Sequence, residues 1–114
     1  MGSVDLFPNL EAAFKGVFNR VLTKLDLERN NIGSEGAIAI AEALKVNAVV
    51  TTLNLYGNSI GDEGAIAIAE ALKVNAVLTK LDLRFNRNMG DAGKQAVRDA
   101  VKDRSGFEYR ELEL

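Results

Sequence analysis

The residues from Leu22 to Val49 and those from Val50 to Val77 are two copies of one unit, aligned without a gap at a period of 28 residues. Glu35 to Val49 recurs unchanged as Glu63 to Val77, and a third copy opens at Leu78 as LTKLDLRFN. A fixed period of this length restricts the fold to a stack of like units, each burying its apolar face against its neighbours. The 114 residues therefore make one small domain, and three units are close to the minimum for a stable array. Whatever covers the two ends matters to folding as much as the repeats do.

Each unit reads as a strand followed by a helix. Leu22-x-x-Leu25-x-Leu27 is echoed by Val50, Leu53 and Leu55 and by Leu78, Leu81 and Leu83. Alternation around Asp26 is the period of a short strand with one buried face. Asn30, Asn58 and Asn86 follow at a bend, where an amide can bond several backbone groups. Stacked at a fixed period they are expected to form a ladder. Ile32 and Ile60 then point inward, and Gly33 and Gly61 release the chain into a helix. Ser34, Asp62 and Asp91 stand directly before the helical pattern and read as N-caps. Gly36, Ala39, Ile40, Ala43 and Leu44 share one helix face, repeated by Gly64, Ala67, Ile68, Ala71 and Leu72. Ile38 and Ile66 fall off that stripe and are expected to pack on a neighbouring helix. Asn47 and Ala48 turn the chain back toward the next strand.

The ends depart from the repeat. Residues 1–21 read as a cap helix, with Pro8 in its first turn and Leu10, Ala13, Phe14, Val17, Phe18 and Val21 along one stripe. Residues 22–49, 50–77 and 78–106 are the three repeats. In the third, Asn86-Arg87-Asn88-Met89 is one residue longer than Asn58-Ser59-Ile60, so its turn bulges. Ala65, Ile66 and Ala69 are replaced there by Lys94, Gln95 and Arg98, polar where a further repeat would stack. Tyr109-x-x-Leu112-x-Leu114 repeats the leucine pattern, so residues 107–114 are expected to add a terminal strand. Its charged residues Glu108, Arg110, Glu111 and Glu113 discourage edge pairing.

Composition narrows the function. The net charge is −2, with no basic stripe for nucleic acid. Neither cysteine nor histidine is present, which removes the thiol nucleophile, the zinc-thiolate site and the commonest general base. No apolar run approaches the roughly 18 residues of a membrane-spanning helix, and no signal peptide is visible. Together these point to a cytoplasmic protein without a cofactor, a metal or a membrane.

The pattern LxxLxLxxNxI with a helix and a 28-residue period resembles the leucine-rich repeat, in its ribonuclease-inhibitor-like subtype. The resemblance implies an α/β solenoid, a short arc with parallel strands on the concave side and helices on the convex side. It implies a protein-binding scaffold and names no partner. The exact recurrence of surface-leaning Glu35, Glu42, Lys45 and Asn47 in the second repeat also fits a recent duplication or an engineered, consensus-like array.

In such an arc the side chains between the leucines project from the concave face in rows: Lys24, Thr52, Lys80; Asp26, Asn54, Asp82; Glu28, Tyr56, Arg84; and Arg29, Gly57, Phe85. Glu28, Arg29, Tyr56, Arg84 and Phe85 are the candidate protein-binding residues, centred on Tyr56, Arg84 and Phe85, because Tyr and Arg offer contact area with a polar handle. A solvated face with charge pairs such as Glu28–Arg84 is the alternative. Asp26 and Asp82 lie about two strand spacings apart, but an open face would not tune a catalytic carboxyl. The expectation is a non-enzymatic binding module, monomeric or homodimeric, with an engineered protein lacking any function beyond folding or self-assembly as the alternative.

Overall fold

The computed structural model describes residues 23–111. The N-terminal cap helix expected over residues 1–21, with Phe14 and Phe18, lies outside them, as do residues 112–114. The elements run β1 (Lys24–Asp26), α1 (Gly33–Leu44), β2 (Thr52–Asn54), α2 (Gly61–Leu72), β3 (Lys80–Asp82), α3 (Asp91–Val101) and β4 (Glu108–Arg110). The four strands form one parallel sheet in chain order. The chain is an α/β solenoid arc with a sheet on one side and helices on the other. Its core lies between them, built from one repeated set: Leu53, Leu55, Ile60, Ile68 and Leu72 from the second repeat with their counterparts on either side.

Strand register puts Leu25, Leu53, Leu81 and Tyr109 in one inward row. The terminal strand therefore starts earlier than its leucine pattern indicates. The leucine pattern sets Tyr109 level with Leu78; it stands opposite Leu81, with the Glu108 N–H donating to the Thr79 carbonyl and the Arg110 carbonyl accepting from the Leu83 N–H. The physical reason is burial. The Tyr109 ring packs on the core where an inward leucine would otherwise sit, and its hydroxyl is pushed up in pKa, first by that burial and then by Glu111.

The helix starts are also corrected. Ser34 and Asp62 are not N-caps; α1 and α2 begin one residue before them, with Ile32 and Ile60 at the cap positions and no side-chain cap bond. Asp91 lies inside α3, whose cap position is Gly90. Neighbouring repeats supply acceptors for these helix starts instead. Ile32 N–H donates to Asn58 Oδ1 and Gly33 N–H to the Asn58 carbonyl. Asp62 reaches forward one repeat, and its Oδ1 accepts from both Gly90 and Gly93 N–H at 2.8 Å. An anionic oxygen at the first turn of α3 also complements the helix dipole.

Helix packing explains the small residues. Ala37, Ala41, Ala65 and Ala69 are buried, and Ala37 and Ala65 meet the next helix at Gly64 and Gly93. Ala39, expected on the inner face, is exposed. Ile38 and Ile66, expected to pack on a neighbouring helix, stay 38% and 40% exposed. A Cβ on Gly64 would lie 2.5 Å from Ile60 Cγ2 and 2.7 Å from Ala37 Cβ, so that position admits only glycine without a shift.

Candidate protein-binding surface

Two asparagine series hold the sheet side and the return turns. Asn58 Oδ1 accepts from Asn30 and Ile32 N–H, and its Nδ2 donates to the Leu27 and Tyr56 carbonyls. Asn86 does the same one repeat later, accepting from Asn58 and Ile60 and donating to Leu55, Leu83 and Arg84. Asn30, first in the series, donates its Nδ2 to its own repeat's Glu28 carbonyl. The second series was missed from sequence. Asn75 Oδ1 accepts from Val77 and Leu78, and its Nδ2 donates to Leu44 and Asn47. Asn47 makes the matching turn bonds to Val49 and Val50. In the third repeat Arg104 takes this position, donating to the Leu72 and Leu78 carbonyls while its guanidinium sits 4.9 Å from the Phe107 ring. The exact recurrence of Asn47 as Asn75 was the available signal.

Rigid turns of this kind fix where the concave residues end. Backbone pairing continues past the assigned strands, with Arg29 N–H donating to Tyr56 and Gly57 N–H to Arg84. This places Arg29, Tyr56, Gly57, Arg84 and Phe85 side by side at the rim of the sheet. The Tyr56 and Phe85 rings lie 5.0 Å apart, tilted at 46°. The guanidinium carbons of Arg29 and Arg84 each lie 5.3 Å from the Tyr56 centroid, within reach of a cation–π attraction. Three repeats thus converge on one ring.

Local backbone geometry is part of this arrangement. Arg29, Gly57 and Phe85 all occupy the left-handed region, at φ 57°, 70° and 57°. Glycine does so freely; Arg and Phe do so at a cost of about 1–2 kcal/mol each. Phe85 nevertheless stays 53% exposed. Gly57 has a second role that sequence did not reveal: a Cβ there would lie 3.2 Å from Arg29 Cγ. The Arg29 stem crosses over Gly57 on its way to Tyr56.

Charges around the cluster pair within a strand as well as between strands. The expected Glu28–Arg84 pair is replaced by Arg84–Asp82, with Arg84 Nη2 2.8 Å and Nε 3.0 Å from the carboxylate. Burial pushes the Asp82 carboxyl up in pKa, but the bonds from Arg84, its charge and that of Arg110 together hold it below the ordinary value. Asp26 instead accepts the Glu28 N–H, and Lys80 pairs with Glu108 across the strands at 3.7 Å. No carboxylate among the described residues pairs with Arg29. A shallow hollow of about 190 Å³ lies between β2, β3 and β4, floored by Leu53 and Leu81 and walled by Lys80, Asp82, Glu108 and Arg110.

Residues 18–41, 46–69 and 74–97 match the family model described as Leucine Rich repeat. The chain belongs to the leucine-rich-repeat family. Among solved structures it is similar to one described as leiomodin-1 actin-binding site 2, with a TM-score of 0.81 and 28% sequence identity. That match covers 93% of this chain and 61% of the other, so the chain spans less than two thirds of its structural relative. No curated protein sequence matches it. Family and relative together support a protein-binding repeat module. No helix among the described residues is long and apolar enough to cross a membrane.

Proposed function

We propose that this is a non-enzymatic protein-binding module that engages its partner through the concave rim formed by Glu28, Arg29, Tyr56, Arg84 and Phe85. One observation carries the reading. Repeats one and two are otherwise near-identical, yet Lys24, Asp26, Glu28, Arg29 and Asn31 become Thr52, Asn54, Tyr56, Gly57 and Ser59 on the strand side. Variation is concentrated where the stack does not need sameness, and among its products Arg29, passing Gly57, meets Tyr56. Tyr and Arg are favoured at binding hot spots because they combine area with directed polar groups.

Actin is the first partner to test, because the similar structure is an actin-binding site. Labelled protein would be titrated with purified monomeric and filamentous actin, beside the triple variant Tyr56→Ser, Arg84→Ser, Phe85→Gly. Saturable binding that the variant loses, with the folded circular-dichroism spectrum retained at the assay temperature, is expected. Equal binding by the variant refutes the placement on this rim, and no binding to either form refutes actin as the partner. The unchanged recurrence of Glu35 to Val49 favours a second reading, an engineered array with no function beyond folding or self-assembly. A binding function abolished by the triple variant would count against it.

A further inference from the structure

Resting on that reading, we infer that the rim selects an extended acidic segment of its partner, one in which a carboxylate side chain neighbours a large apolar side chain. The two halves of that chemistry are separate on the surface. The apolar half is the Tyr56–Phe85 pair, whose Phe85 ring is held outward, 53% exposed, by a left-handed backbone that glycine would adopt more readily. The anionic half follows from how the two cations are paired. Arg84 is locked by Asp82 through Nε and Nη2, which fixes its direction and leaves Nη1 free of protein bonds. Arg29 crosses Gly57 to reach the opposite side of the cluster, and no carboxylate among the described residues meets it. Of the two cations against Tyr56, Arg84 is met by Asp82, so Arg29 is the one without an ion pair among the described residues.

A carboxylate arriving there gains a charged donor already positioned by its stack on Tyr56, and an adjacent apolar side chain covers Phe85. Arginine suits this role because its planar fork can stack and donate at once. Gly57 acts as a positioning residue, since a Cβ there would press on Arg29 Cγ and push the Arg29 stem aside by a few tenths of an ångström.

The test is a titration of the full 114-residue protein, ¹⁵N-labelled, with two capped peptides, one Gly-Glu-Trp-Glu-Gly and one Gly-Lys-Trp-Lys-Gly. At low salt the acidic peptide is expected to shift the Gly57 and Phe85 amides and bind roughly tenfold more tightly than the basic one. The ratio should fall toward one near 1 M salt, where the screening length is about 3 Å. Arg29→Asn tolerates the left-handed backbone and should remove most of the preference while leaving the apolar contribution. Equal or reversed preference overturns the acidic assignment but leaves the rim as a binding surface. If neither peptide shifts these amides, the rim reading itself falls.

Discussion

Replacing Asn58 by alanine tests the stacking logic most directly. Asn58 is fully buried and its side-chain amide makes four bonds, three of which join repeats one and two. Truncation leaves the Ile32 N–H and the Leu27 carbonyl without partners in buried surroundings, while Asn30 N–H and the Tyr56 carbonyl are part-buried and can recruit water. An orphaned buried group costs about 1–3 kcal/mol, so the two together cost roughly 2–6 kcal/mol. Set against a total stability of about 5–15 kcal/mol, that is a large fraction. Asn30→Ala is the matched control, because its Nδ2 bonds only an exposed carbonyl of its own repeat, and its loss should stay within about 1 kcal/mol. Urea unfolding followed by circular dichroism reads both. Because the lost bonds couple neighbouring repeats, the Asn58 variant should also unfold less cooperatively, with a smaller denaturant slope. Amide exchange should quicken first at Asn30 and Ile32. If Asn58→Ala loses no more than Asn30→Ala, the bonds do not hold the repeats together and the argument fails.

Gly93→Ala should destabilise by roughly 1–3 kcal/mol, because its Cβ would lie 2.6 Å from Asp62 Oδ1 and 3.0 Å from Ala65 Cβ; a thermal melt checks this. Phe85→Gly releases left-handed strain of about 1–2 kcal/mol but loses the contact with Tyr56, so its melting temperature should match or exceed that of the parent while partner binding is lost. A clear drop in melting temperature would make Phe85 a structural residue. Asp82 has a lowered pKa in the folded state, so its stabilising effect is complete above the ordinary value of 3.8 and disappears as pH falls through the folded value. Unfolding of Asp82→Asn should therefore depend less steeply on pH in that acid range than unfolding of the parent.

The repeat made the fold legible. A period of 28 residues with Leu25, Leu53 and Leu81 in phase leaves little choice but a parallel sheet backed by helices. Errors came where a local rule competed with a contact from the next repeat. Ser34 and Asp62 have the right chemistry for N-caps, but Asn58 already serves the first turn of α1, and Asp62 is drawn forward to Gly90 and Gly93. At the terminal strand, leucine spacing favoured Leu112 as the inward residue, whereas Tyr109 fills the place beside Leu81. The rim rows were legible from register alone. The crossing of Arg29 over Gly57 was not, because it depends on the absence of one Cβ and on a backbone region that composition does not report.

The architecture separates what holds the stack from what faces outward. Asparagine amides, buried alanines and core leucines contact the equivalent residues of adjacent repeats, so they favour sameness from unit to unit. Concave residues meet solvent and have no such requirement. Tyr56 and Arg84 can differ from Glu28 without disturbing the ladder beneath, because the Asn58 and Asn86 amides bond backbone atoms alone. Backbone bonding makes the ladder indifferent to the side chains above it. The strain at Arg29 and Phe85 adds to this argument, since a stack selected for stability alone would favour glycine at both positions, as at Gly57. Two departures from that choice, both bearing on the same tyrosine, support the contact role proposed for the rim.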